Sequence, residues 1–215
     1  MIGCLRFGVG CRSVGIATRG NPGSPALTNM LGRAFVMARI ELTVHIAAPL
    51  ERCFDLARSV ELHTRSTSST GEHVIAGRTS GLLELDEEVT WKARHFKVWQ
   101  TLTSRITAVE RPTYFRDSMV RGALKRFDHH HYFANDGAGG TVMRDVFDYS
   151  APLGVLGWLA EQLFLTRYMR RFLEARNREV KAVAESDLWS QFLPRGLTRR
   201  CSRPLKSAAA ERQSR

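Results

Sequence analysis

Residues 38–57 read ARIELTVHIAAPLERCFDLA, a strand that runs straight into a helix. Ile40, Leu42, Val44 and Ile46 alternate with Arg39, Glu41, Thr43 and His45, the period of a strand with one buried face. Pro49 then stands where a helix tolerates proline best, at its first turn. Behind it Leu50, Cys53, Phe54 and Ala57 fall on one side. A second short helix is expected from Val60 to about His63. The polar stretch TRSTSSTG (64–71) follows as a loop with nothing to bury, either a gate over a cavity mouth or a plain connector.

From Glu72 to about Ser150 the pattern changes to successive strands joined by turn residues. The expected strands are Glu72–Arg78, Leu82–Phe96, Val98–Glu110, Tyr114–Arg121, Arg126–Ala134 and Thr141–Ser150. Arg111-Pro112-Thr113 and the run from Asn135 to Gly140 are the clearest turns. Short links between consecutive strands give an antiparallel meander. Pro152 and Gly154 close it, and a helix is expected from about Val155 to Glu185. Its apolar stripe comprises Leu156, Leu159, Leu163, Met169, Leu173, Val180 and Val183. Arg170, Arg171, Glu174, Arg178 and Lys181 mark its other face, and MRRFLEARNR (169–178) reads as solvated. The apolar run 153–165 either packs on the sheet or touches a membrane. A sheet of this size cannot leave its apolar face bare, and the last helix is the element able to cover it. The fold class is therefore α+β: a curved antiparallel sheet around a long C-terminal helix, with an internal cavity between them.

Charge is placed unevenly. Of the net +11, residues 1–37 carry +4, residues 187–215 carry +5 and residues 38–186 only +2. A nucleic-acid-binding domain carries its basic patch on the folded surface, so no specific nucleic-acid partner is expected. The chain thus divides into a basic, Gly- and Arg-bearing extension (1–37), expected to be disordered or to precede a true start at Met37, a folded domain (38–186), and a basic tail (187–215) expected to be disordered. Trp189 and Phe192 of that tail are candidates to dock back. No uninterrupted apolar run is long enough to span a bilayer and no secretory signal is evident, so stable membrane insertion is not expected and a cytoplasmic location is. The four cysteines show no metal-binding spacing. Glycine-rich phosphate loops and nucleophile elbows are lacking, so no cofactor is expected.

The element order, and with it IELTVHIAAPLERCFDLA, WKARHFKVWQTLTSRIT, RPTYFRDSMVRGALKRFDHHHYF and MRDVFDYSAPLGVLGWLAEQLFLTRYMRRFLEARN, resembles the SRPBCC superfamily with the START, or helix-grip, fold. The likeness covers essentially all of 38–186, and these stretches look like bacterial ligand-binding members of the polyketide cyclase/dehydratase-like group. Lipid-transfer domains, coenzyme Q-binding proteins and aromatase/cyclases share the scaffold, so the resemblance implies a fold rather than a reaction.

Alternation assigns one side of each strand to the interior. Val89, Trp91, Ala93 and His95 share a face, as do Val98, Gln100, Leu102, Ser104 and Ile106. Next come Phe115, Asp117 and Met119; then Phe127, His129, His131 and Phe133; then Met143, Asp145, Phe147 and Tyr149. The candidate ligand-contacting residues are Trp91, His95, Gln100, Leu102, Phe115, Asp117, Met119, His129, His131, Phe133, Phe147 and Tyr149. Leu159 and Leu163 of the helix stripe join them. Trp91, Trp99, Phe115, Phe127, Phe133 and Phe147 either build the core or stack on a planar ligand.

Ionisable groups on an inward face must find one another, water or a ligand. The hairpins place Asp117 near His129, and His129 or His131 near Asp145. This is a polar network that fixes register, a hydrogen-bonding patch for a ligand, or a general acid/base pair. Two functions follow: non-enzymatic binding or carriage of a small hydrophobic molecule (lipid, polyketide, quinone or aromatic), or a cyclase, dehydratase or hydrolase using His129 or His131 with Asp117 or Asp145. No metal is expected. Alternation turns His130 away, so only two histidines converge and a carboxylate would have to complete a site.

Overall fold

The computed structural model describes residues 38–151 and 164–193. Seven strands form one antiparallel sheet in the order β1-β7-β6-β5-β4-β3-β2. They are β1 (Ala38–Ile46), β2 (His73–Gly77), β3 (Glu88–His95), β4 (Val98–Glu110), β5 (Tyr114–Arg121), β6 (Arg126–Asn135) and β7 (Thr141–Ser150). Helices α1 (Leu50–Ala57) and α2 (Val60–Ser66) follow β1, and α3 (Thr166–Ala184) follows the sheet. The expected first half of the long helix, with Leu156, Leu159 and Leu163, lies outside the described residues, as do residues 1–37 and most of the basic tail.

The meander closes when β1 pairs with β7, from Ala38 opposite Tyr149 to Ile46 opposite Thr141. Ile40 and Ile46 are buried while Arg39, Glu41, Thr43 and His45 are exposed. The free edge of β1 is covered from α3: Lys181 Nζ donates to the His45 carbonyl (2.6 Å) and Arg170 Nη1 to that of Glu41 (3.2 Å). The register of β4 on β5 shifts between Thr103 and Ser104 and again between Ile106 and Ala108. Such irregularities bend a sheet, and here they fall on β4, whose Leu102, Ser104 and Ile106 share the inward face.

α1 lies over the β5–β6 end. Phe54, fully buried, meets Phe115 edge-on at 5.8 Å and Phe133 at 5.5 Å between ring centroids, arrangements worth roughly 0.5–1.5 kcal/mol each beyond area burial. On the same helix the buried Asp55 accepts from Arg58 Nη2 (2.8 Å) and is gripped by both guanidinium nitrogens of Arg111, from the β4–β5 turn. After α3, the turn Asp187–Gln191 brings Trp189 and Phe192 against the α1 side of the core, with the Arg52 guanidinium 4.3 Å from the Trp189 ring centroid.

Three expectations are corrected. The stretch 64–71 is not a bare loop: α2 continues to Ser66 and a 3-10 turn spans Ser68–Thr70. Its hydroxyls bond back to the helix, Thr64 to the Val60 carbonyl (3.0 Å), Thr67 to that of His63 (2.9 Å) and Thr70 to that of Thr67 (2.8 Å), and Thr67 is buried. The third strand begins at Glu88 rather than Leu82. Leu82 forms a bridge with Ser59, the Leu83 amide donates to the Arg58 carbonyl (3.0 Å), and the chain turns at Asp86, whose φ is +65°. Finally, the face of α3 is not solvated throughout, because Arg176 and Asn177 are buried.

Candidate functional site

Between the concave face, α2 and α3 lies a cavity of about 180 Å³. Trp91, Ala93, Leu102, Ile106, Phe115, Phe127 and Phe147 of the sheet line it, as do Leu165, Met169, Phe172 and Leu173 on the helical side. Its wall is therefore mostly apolar, with polar groups in a few places. At one end His95 Nδ1 and the Tyr168 hydroxyl share a 2.6 Å hydrogen bond, and His63 stacks on Trp91 (4.2 Å) while bonding Glu72 Oε1 through Nε2 (2.9 Å). Burial pushes the His95 imidazole down and the Tyr168 phenol up, so both are neutral near pH 7. His63, Glu72, Tyr168 and Phe172 were not singled out from the sequence.

The second polar patch is built by cross-strand register. Asp117 on β5 faces His129 on β6, and His131 on β6 faces Asp145 on β7. His131 donates from Nδ1 to Asp145 Oδ1 (2.8 Å), and its Nε2 lies 3.2 Å from Asp117 Oδ1. His129 sits between the same carboxylates, Nδ1 3.8 Å from Asp117 Oδ1 and Nε2 3.7 Å from Asp145 Oδ2. From α3, Arg176 brings Nη1 to 3.8 Å from Asp145 Oδ2 while Nη2 donates to the Ala57 carbonyl (3.1 Å). His129 Nε2, Asp145 Oδ2 and Arg176 Nη1 are buried without a hydrogen-bond partner among the described residues. His130 points to the opposite face and bonds the Tyr114 hydroxyl (2.9 Å).

Trp91, His95, Gln100, Leu102, Phe115, Asp117, His129 and Phe147 all line the cavity. Met119, His131, Phe133 and Tyr149 share the inward face but are not part of the wall. Phe54 of α1 packs against Phe133, and Phe115 of β5 stacks on His131 (4.2 Å). Tyr149 is fully buried under the start of α3, its hydroxyl 2.8 Å from Thr166 Oγ1, and Met119 packs into the neighbouring apolar cluster. Leu159 and Leu163 fall outside the described residues. Arg176 was missed, although a signal existed: it lies three residues after Leu173 and four before Val180, inside the buried stripe.

Burial drives the His129 imidazole down, and the neighbouring charge of His131 drives it further, to about 4 despite both carboxylates. His131 is also penalised by burial, but the charge of Asp145 and the hydrogen bonds with Asp117 and Asp145 raise it above the ordinary histidine value. Burial alone would raise both carboxyls. The hydrogen bond to His131 and the nearby cations hold Asp117 below its usual range, and the charge of His131 with both imidazole contacts holds Asp145 well below. Where His131 keeps its proton the patch therefore balances two anions, Asp117 and Asp145, against two cations, His131 and Arg176, with His129 neutral above about pH 4.

This arrangement gives stability a pH dependence. Between pH 6.5 and about 4 the unfolded chain binds a proton at His129 that the native state refuses, so stability falls as the pH falls. At about 1.4 kcal/mol per pH unit the loss from this residue approaches ~3 kcal/mol. His131, raised in the native state, works in the opposite sense: its stabilisation is complete only well below pH 6.5 and fades as the pH rises, so it offsets part of the His129 loss at the upper end of that window. Denaturant melts in metal-free buffer at pH 7 and pH 4.5 are expected to show the loss in the native sequence and to show most of it gone in His129→Gln.

A family model described as polyketide cyclase / dehydrase and lipid transport matches residues 37–185. The chain belongs to this family. No curated protein matches. Among solved structures the fold is similar to TTHA0849 of Thermus thermophilus (TM-score 0.56, 18% identity, 67% of this chain and 95% of that one). It is also similar to the major latex-like protein 151 of Panax ginseng (0.53, 14%, 70% and 99%) and to a START superfamily protein of Mycobacterium smegmatis (0.53, 11%, 68% and 97%). At these identities the likeness is one of fold: the curved sheet and C-terminal helix form a START/Bet v1-like helix-grip arrangement. No helix among the described residues is long and apolar enough to cross a membrane.

Proposed function

We propose that the chain binds and carries a small, largely apolar molecule with one polar end, held in the cavity between the sheet and α3. The observation that supports this is the composition of the wall: aromatic and aliphatic side chains over most of it, with Asp117, His129 and Arg176 together at one place. The apolar part of such a ligand gains by leaving water. Its polar end meets the place on the wall where Asp117, His129 and Arg176 come together, where Arg176 Nη1 has no hydrogen-bond partner among the described residues.

The acid/base alternative, a cyclase, dehydratase or hydrolase, is less well supported by the same patch. His129, the imidazole on the cavity wall, titrates near 4 and is a weak base at neutral pH. His131 holds its proton behind the wall in hydrogen bonds to Asp145 and Asp117. Native mass spectrometry of the full chain purified from its own source, followed by solvent extraction, tests the proposal. A discrete copurifying mass with an apolar body supports carriage. A protein that neither copurifies with nor takes up any apolar molecule contradicts it.

A further inference from the structure

We propose that Asp117, His129 and His131 form a binding site for one first-row divalent transition ion, such as Zn²⁺, opening onto the cavity. The missing carboxylate that argued against a metal in the sequence is supplied by β5. The donor atoms these three residues offer lie within 4.8 Å of one another. Donors about 2.1 Å from a shared ion stand roughly 3.0–3.5 Å apart in octahedral or tetrahedral geometry. Asp117 Oδ1 is 3.2 Å from His131 Nε2 and 3.8 Å from His129 Nδ1, so these two pairs need at most a few tenths of an ångström of contraction, and the two imidazole donors, within 4.8 Å of one another, close by up to about 1.3 Å to share an ion.

The far side of each ring is arranged to match. His131 Nδ1 is held by Asp145 Oδ1 at 2.8 Å, and His129 Nε2 faces Asp145 Oδ2 at 3.7 Å. One buried carboxylate thus stands behind both imidazoles and turns Nε2 of one and Nδ1 of the other toward Asp117. A carboxylate behind a ligating histidine is how metal sites fix the ring and its tautomer. The unpartnered His129 Nε2 and Asp145 Oδ2 become a hydrogen-bonded pair once an ion fixes the His129 proton on Nε2. Two nitrogens and one carboxylate oxygen suit Zn²⁺, Fe²⁺, Co²⁺ or Mn²⁺. Asp117 and His129 line the cavity and His131 lies behind it, so the remaining coordination positions face the space where a ligand's polar end would sit.

The test uses the full, tag-free chain stripped with EDTA, titrated with Zn²⁺ by calorimetry and with Co²⁺ by visible absorption. One equivalent of each is expected to bind, with Co²⁺ ligand-field bands displaced by Zn²⁺. His129→Gln and Asp117→Asn, both on the cavity wall and checked for fold by circular dichroism, should each weaken binding at least ~100-fold. Asp145→Asn, a positioning residue, should weaken it ~10–100-fold. Absence of stoichiometric uptake overturns the site, and so does uptake undiminished in the folded His129→Gln variant. Apolar-ligand binding by the EDTA-stripped protein is a separate readout, so failure of one proposal is distinguishable from failure of the other.

Discussion

Replacing Asp145 with alanine is expected to cost about 3–5 kcal/mol of stability, the range for breaking a buried ion pair from one side. Asp145 is 1% exposed, accepts from His131 and lies 3.8 Å from Arg176 Nη1. Without it one carboxylate, Asp117, must balance two buried cations. The loss should be greatest below the native titration point of His131, where that imidazole cannot relieve the imbalance by releasing its proton. Asp145→Asn keeps the shape and an acceptor for His131 Nδ1, so it should lose only about half as much. Denaturant melts of Asp145→Ala, Arg176→Met and the double variant complete the argument. Because the two side chains share one network, the double variant should be more stable than the summed single losses imply. An Asp145→Ala loss below ~1 kcal/mol would mean that the network does not depend on this carboxylate.

The second large effect concerns binding. Ala93 is buried, lies on the cavity-facing side of β3 and is part of the wall. In Ala93→Phe the ring projects into a space of about 180 Å³ and occupies the volume a ligand needs. Affinity for an apolar ligand should fall at least ~100-fold, or about 2.8 kcal/mol. The fold should survive, because the added ring enters a cavity rather than a packed core. Leu102→Phe, on the neighbouring strand, should act in the same direction. Phe133→Leu is the control: it sits under α1, away from the wall, and should cost stability while leaving affinity within about twofold. Equal affinity in Ala93→Phe and the native protein would place the ligand elsewhere.

Much of this architecture was legible in the sequence because period-two alternation was uninterrupted. β1, β4, β5 and β7 have the boundaries their residues announce, and the meander order follows from the short links between strands. The pairings of Asp117 with His129 and of His131 with Asp145 could be expected once the hairpins were placed. Alternation tells which face a side chain takes but not what covers that part of the face. His131 and Phe133 point inward with His129, yet Phe54 of α1 packs on Phe133 and Phe115 of β5 stacks on His131, so neither is part of the cavity wall. The early start assigned to β3 failed for a related reason: Leu82 is buried as a strand residue would be, but its partner is the α1–α2 joint at Ser59. Arg176 was hidden by its chemistry, since a run of arginines reads as solvent-facing, while its position on the helix places it inside.

The most direct test of the central claim, that the cavity between sheet and α3 receives a small apolar ligand, is an NMR titration of the tryptophan indole N–H signals. The probes are naphthol and octanoate, and Trp91→Phe identifies the Trp91 signal. Trp91 lines the cavity, whereas Trp189 packs beside Arg52 on the α1 side and is not part of the wall. The account predicts a saturable shift of the Trp91 signal with that of Trp189 unmoved, and loss of the effect in Ala93→Phe. Saturable binding that leaves Trp91 unmoved, or no binding of either probe, would contradict it.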